Sequence, residues 1–95
     1  MDPLGRAITL HERTWRGHIL RAHPEMTTVR ELVEGAAPQP DEIGHSRSAP
    51  ECRLYFGRGP RSTVIIMVVV DVAQGLVKTA HLAKQISGGP VEWSK

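Results

Sequence analysis

The apolar positions of this chain change period once, near residue 41, from a spacing of three and four to an alternation of two. Before the change, Trp15, His18, Ile19 and Ala22 recur on one helical face. Thr14 stands in front of them as an N-cap, and Pro24 drives His23 out of the helical region, so the spacing predicts a first helix of about two turns. Thr28 with Glu31 reads as a capping box for a second helix, with Val29, Leu32 and Val33 as its buried stripe and Gly35 as its stop. Residues 36–40 follow as a linker. Residues 1–13 carry too little pattern to assign and are expected to be a mobile start, which leaves residues 14–95 as a single domain.

Beyond Asp41 the alternation predicts strands. Ile43, His45 and Arg47 alternate with Gly44 and Ser46, and Cys52, Leu54 and Phe56 alternate with Arg53, Tyr55 and Gly57. Gly57-Arg58-Gly59-Pro60 reads as the hairpin turn after the second of these strands. Residues 63–72 are almost all β-branched and apolar, the pattern of a central strand covered on both faces, and residues 76–82 continue the sheet after a Gln74-Gly75 turn. Gly88, Gly89 and Pro90 make a last turn before a short strand or clasp at residues 91–93. The expected architecture is α+β, with two N-terminal helices packed on one face of a four-stranded antiparallel sheet.

Composition narrows this picture. Ninety-five residues suffice for one core, and with aromatics at 4% of the chain, aliphatic side chains must fill it. Cys52 is the only cysteine, which excludes an intrachain disulfide and a zinc site built on several thiolates, and fits a reducing, cytoplasmic compartment. Met1 to Leu10 has no leader pattern and the longest apolar run, residues 64–70, is seven residues, so neither secretion nor a membrane span is expected. The formal charge of +2 is unevenly spread: residues 25–42 hold five acids and one arginine, residues 45–61 four arginines and one acid.

Histidine is the side chain best suited to proton transfer near neutral pH, and this chain has five. His18 and His23 are about 140° apart on a helix, which is not the four-residue spacing of a helical metal pair, so no metal site is expected. His18 lies at the edge of the apolar stripe, where it is either packed and hydrogen-bonded or presented from helix to sheet. On the last long strand Val77, Thr79 and His81 share a face by alternation. His45 with Arg47, and Arg53 with Tyr55, are further same-face pairs that antiparallel pairing brings together. A sheet face bearing His, Arg, Tyr and Thr can hold a phosphodiester. Cys52 alternates onto the apolar face and reads as core. Gly57 to Pro60 follows no strand-to-helix transition and carries no Lys-Ser/Thr, so a phosphate loop and a nucleotide cofactor are not expected.

Taken in order, these segments resemble the barnase, EndoU, colicin and RelE-like group of small phage and bacterial nucleases. The resemblance is carried by His18-Ile19-Leu20, His23-Pro24-Glu25, residues 29–34, Pro40-Asp41-Glu42-Ile43 with Ser46, and Leu54-Tyr55-Phe56. It continues through residues 64–70, Gly75-Leu76-Val77-Lys78-Thr79-Ala80, and the closing residues 88–93, covering about four-fifths of the chain. His81 departs from the pattern, standing where an aromatic residue follows Thr-Ala.

The resemblance implies metal-independent RNA cleavage, in which the substrate's 2′-hydroxyl attacks its own phosphate. The implied roles are His23 or His18 as acid or base from the helical side and His81 as the opposite partner. Arg47 and Arg53 would stabilise charge on the phosphorane, and Tyr55 and Thr79 would position the phosphate or stack a base. Arg53, Arg58, Arg61, Lys78 and Lys84 would hold the RNA, no cofactor is needed, and a cognate inhibitor or antitoxin is an expected partner. Two other readings stay open: an RNA-binding module without turnover, and a protein-interaction domain of a toxin–antitoxin or phage–host pair that docks through residues 28–34 or the arginine patch.

Overall fold

The computed structural model describes residues 1–95. Its sheet has five strands, β1 (Glu42–His45), β2 (Cys52–Arg61), β3 (Val64–Asp71), β4 (Leu76–Ala83) and β5 (Val91–Ser94), in the order β4-β3-β2-β1-β5 with every neighbouring pair antiparallel. The α+β class holds, but the expected four-stranded sheet is one strand short. The closing clasp is a full edge strand, because Ile43 pairs with Trp93 and Glu42 with Ser94 across the free side of β1.

The β-branched run behaves as its composition demands on one face only. Ile66, Val68 and Val70 are fully buried, whereas Ile65, Met67 and Val69 are half-buried, so β3 is not covered equally on both sides. Gly57 to Pro60 is not the hairpin turn. β2 runs on to Arg61, a bulge separates the Arg58–Ile65 and Arg61–Val64 pairs, and the reversal falls at Ser62 and Thr63. Gly59 makes this possible, since a Cβ there would sit 1.8 Å from the Val64 carbonyl oxygen.

The helical layer also departs from two regular helices. Residues 12–22 form one helical stretch, α1, in which a π-helical segment, Trp15–Ile19, lies between the α-turns Glu12–Thr14 and Leu20–Ala22. It starts earlier than Thr14 would allow as a cap, with His11 at the N-cap. Pro24 ends α1 as expected, holding His23 at φ −138° and ψ 73°, and opens a 3₁₀ turn, Pro24–Thr28. That turn runs directly into α2 (Arg30–Ala36), so Val29 rather than Thr28 is its N-cap, no side chain caps it, and Gly35 lies within it. Trp15 and Ile19 from α1, Met26 from the turn, and Val29, Val33 and Ala36 pack on Ile43, Tyr55, Ile66, Val68, Val70, Val77 and Ala80.

Residues 1–13 make specific contacts with the sheet. Thr9 bridges Leu76 in parallel, its N–H donating to the Gly75 carbonyl (2.8 Å) and its carbonyl accepting from Val77 N–H (3.0 Å). Further back, Arg6 donates through Nε to Asp2 (2.7 Å) and through its two Nη groups to both Glu92 oxygens (2.6 and 3.2 Å). Arg53 Nε donates to the same Glu92 (2.8 Å), and the Tyr55 hydroxyl, with no exposure at all, donates to Asp2. No helix is long and apolar enough to cross a membrane.

Burial alone would push Asp2 and Glu92 up, but hydrogen bonds from Tyr55 and Arg6 to Asp2, and from Arg6 and Arg53 to Glu92, hold both carboxyls below their ordinary values of 3.8 and 4.5. A depressed carboxyl stabilises the fold fully above its unfolded value and loses that contribution as pH falls through the folded one. Unfolding experiments should therefore show stability constant from about pH 7 to pH 5.5 and falling below about pH 4.5. Asp2→Asn and Glu92→Gln should each lower stability at pH 7 by about 2–4 kcal/mol and flatten the acid limb. An unchanged acid limb in both variants would show that the network does not govern it.

Candidate functional site

The outer edge of the sheet is β4, and α1 runs beside it. β4 does not alternate evenly: Val70 pairs with Val77 but Val69 pairs with Thr79, so Lys78 is the extra residue of a bulge. Val77 is thereby turned to the core, and the expected face shared by Val77, Thr79 and His81 is split. Bulges of this kind re-aim side chains, and here the result is that Lys78 and Thr79 line a shallow cleft of about 360 Å³ together with Thr14 and His18. His18 comes from the π-helical segment, a local irregularity of α1 at the cleft wall.

One short step further along the same edge, His23 at the end of α1 meets His81 of β4. Their ring centroids lie 5.3 Å apart with an interplanar angle of 31°. His23 owes its position to the residue that follows it, since the pre-proline conformation swings it off the helix axis. Its Nδ1 is 3.6 Å from a Glu25 carboxylate oxygen, salt-bridge range for a protonated imidazole. His81 Nδ1 is 3.0 Å from the Leu82 carbonyl oxygen. A carbonyl can only accept, so this contact assigns the proton to Nδ1 and leaves the His81 Nε2 lone pair free when the ring is neutral. The edge thus carries a fixed acceptor, a neighbouring imidazole with its own carboxylate, and a lysine, in one strip.

Four of the residues expected at a site do not join it. Tyr55 is buried with its hydroxyl bonded to Asp2 and Arg6, and burial followed by the Asp2 bond pushes its ionisation far up, so it can neither touch a phosphate nor stack a base. Arg53 is committed to Glu92 and to the carbonyls of Pro50 and Cys52. Arg47 lies beyond β1 and donates to the Gly88 carbonyl (2.8 Å), on the opposite side of the sheet from β4. His45, paired with Arg53 on β1, is equally remote. Cys52 is buried, and burial pushes its thiol up, which suits a core residue. Arg58 and Arg61 flank the β2–β3 reversal, and Lys84 follows β4. No group of three or more His, Cys, Asp or Glu side chains is placed to hold a metal ion.

Glu25 is the site residue that pattern reading passed over as a role, although it stands next but one to His23 in the His-Pro-Glu triplet. In comparisons with known proteins, no family model, no curated protein and no solved structure matches this chain.

The hydrogen bond of His81 fixes an observable. Nitrogen NMR of neutral His81 should report the Nδ1–H tautomer, and His81→Ala should shift the His23 ring resonances through loss of the facing ring. A dominant Nε2–H tautomer would remove the free acceptor from the edge.

Proposed function

We propose that this chain is a metal-independent endoribonuclease of the barnase, EndoU, colicin and RelE-like group, acting at the α1–β4 edge. The observation that carries the reading is the His23–His81 pair, two imidazoles within one phosphodiester's reach on an outer strand that no further strand covers. Such cleavage needs a base for the 2′-hydroxyl proton, an acid for the departing 5′-oxygen, and positive charge on the phosphate. His81 Nε2 takes the proton as the 2′-oxygen attacks phosphorus. The bond from phosphorus to the 5′-oxygen then breaks, His23 protonates the leaving oxygen, and a 2′,3′-cyclic phosphate remains. Glu25 pairs with the protonated form of His23 that this step requires. Lys78 supplies charge to the phosphate, and Thr79 and His18 orient the strand from the cleft beside it.

The restricted set of residues distinguishes this assignment from the broader one drawn from pattern alone, because Tyr55, Arg53 and Arg47 carry no role in it. An active ribonuclease in a cell needs restraint, which makes a cognate inhibitor protein part of the same reading.

Purified protein incubated with labelled RNA in EDTA should yield products ending in 2′,3′-cyclic phosphate. His23→Ala and His81→Ala should each reduce the rate by about 10² to 10⁴-fold, the usual worth of one general acid or base. Glu25→Gln should cost less than either, and Arg47→Ala should change little. Intact RNA across pH 5 to 9 would overturn the catalytic reading. Salt-sensitive RNA binding with no cleavage would then mark a binding module.

A further inference from the structure

The twelve lysines and arginines of this chain fall into two groups. Arg6, Arg16, Arg30, Arg53 and Lys95 lie within 4.0 Å of a carboxylate, and Arg47 is held by a carbonyl. Arg13, Arg21, Arg58, Arg61, Lys78 and Lys84 have no such carboxylate partner. Lys78 sits on β4, Lys84 directly after it, and Arg58 and Arg61 at the β2–β3 reversal. Arg58 and Arg61 line one cleft of about 430 Å³, open to solvent, whose single acid, Asp41, is engaged by Lys95 at 3.7 Å. Glu31 faces Arg58 across a smaller concavity without coming within ion-pair distance.

The backbone builds this cation pair rather than merely tolerating it. Regular alternation would send Arg58 and Arg61 to opposite sides of the sheet, but the Gly59-Pro60 bulge brings both to the same cleft, and only glycine fits at residue 59. Register then locates the cleft relative to the histidines. Arg61 pairs with Val64 and His81 with Met67, so the two are three residues apart along β3 and two strands apart across it. At about 3.4 Å per residue and 4.8 Å per strand that is roughly 14 Å. Lys84 directly follows Ala83, the partner of Ile65, at the end of β4 nearest the β2–β3 reversal.

We infer that the Arg58–Arg61 cleft is a distal phosphate subsite, which makes the substrate a single-stranded RNA reaching about four nucleotides past the scissile phosphate, at ~3.4 Å of rise per stacked nucleotide. The inference rests on the α1–β4 edge being the cleavage site. Lys84, at the end of β4, adds a further cation on the side of the histidines that faces the cleft. Phosphate contacts of this type hold register without reading sequence, so the subsite selects for length and single-strandedness and not for bases.

Oligodeoxynucleotides carrying one ribonucleotide, and therefore one cleavable position, test this when extended by one to six residues on the 5′ or the 3′ side. Cleavage efficiency should rise about 10- to 100-fold with extension on one side only and level off near four residues. In Arg58→Gln/Arg61→Gln, whose side chains are exposed, the ratio of long to short substrate should fall close to one, while the far-ultraviolet spectrum and Tm stay as in the parent. Fluorescence anisotropy with the all-deoxy strand reads binding without cleavage, and the slope of log affinity against log salt should shrink by about 1.4 in the double variant, from ~0.7 per phosphate contact. Length dependence and salt slope both unchanged in the variant would overturn the subsite, including the case in which the two arginines serve an acidic protein partner instead. Normal length-dependent binding by a parent protein that never cleaves would sink the ribonuclease reading and leave the subsite standing.

Discussion

The guanidinium of Arg6 is the point on which the rest of the molecule closes. It lies between Asp2, the Tyr55 hydroxyl and both oxygens of Glu92, and so joins the chain start, the central β2 strand and the edge strand β5. Hydrogen bonding to Glu92 first, and then to Asp2, holds its proton tightly, while the same contacts keep both carboxyls ionised. An ion cluster with so little water contact is stable only when every member is satisfied, and no buried side-chain nitrogen or oxygen in the chain lacks a partner. The clamp also anchors β5, a strand of only four residues. β5 is short and half-exposed, and its anchor is the ionic contact at Glu92 as much as its ladder with β1.

From this clamp the geometry of the site follows. With residues 2–6 fixed, Thr9 reaches the outer side of β4 at Leu76 and Val77 and covers the beginning of that edge. The Lys78 bulge comes directly after the covered part. Beyond it the strand is open, and α1, packed through Trp15 and Ile19, brings His18 and His23 alongside. An open edge is an aggregation risk that proteins blunt with bulges and charged residues, and β4 carries both in Lys78 and the lysine that follows the strand. These devices fall on the same stretch of edge as the proposed acid–base pair.

Sequence pattern was legible wherever a choice is local. Trp15 and Ile19 announce a helix face, Pro24 its end, and the Val and Ile run its strand, because each is decided by neighbours within one or two turns. It failed where partners far apart in the chain decide. Glu92 with Arg6 is separated by most of the sequence, and no period in residues 1–13 hints that Asp2 is buried. Gly57 to Pro60 has the composition of a turn, yet β3 pairing extends β2 through it as a bulge, so pairing energy overrode turn propensity. For Tyr55 and Arg53 the reason is related: alternation places a side chain on a face, but not whether a partner such as Asp2 or Glu92 already occupies it.

A functional face in a small domain is marked by polar side chains that the fold has not already engaged. A net charge of +2 is nearly uninformative here, since five of the cations are neutralised in ion pairs that hold the surface and the clamp. Subtracting these leaves Arg13 and Arg21 on α1, Lys78 on β4 with Lys84 just after it, and Arg58 and Arg61 at the β2–β3 reversal as cations without a carboxylate partner. Phosphate affinity grows with the number of uncompensated charges a strand can meet and not with the total in the chain.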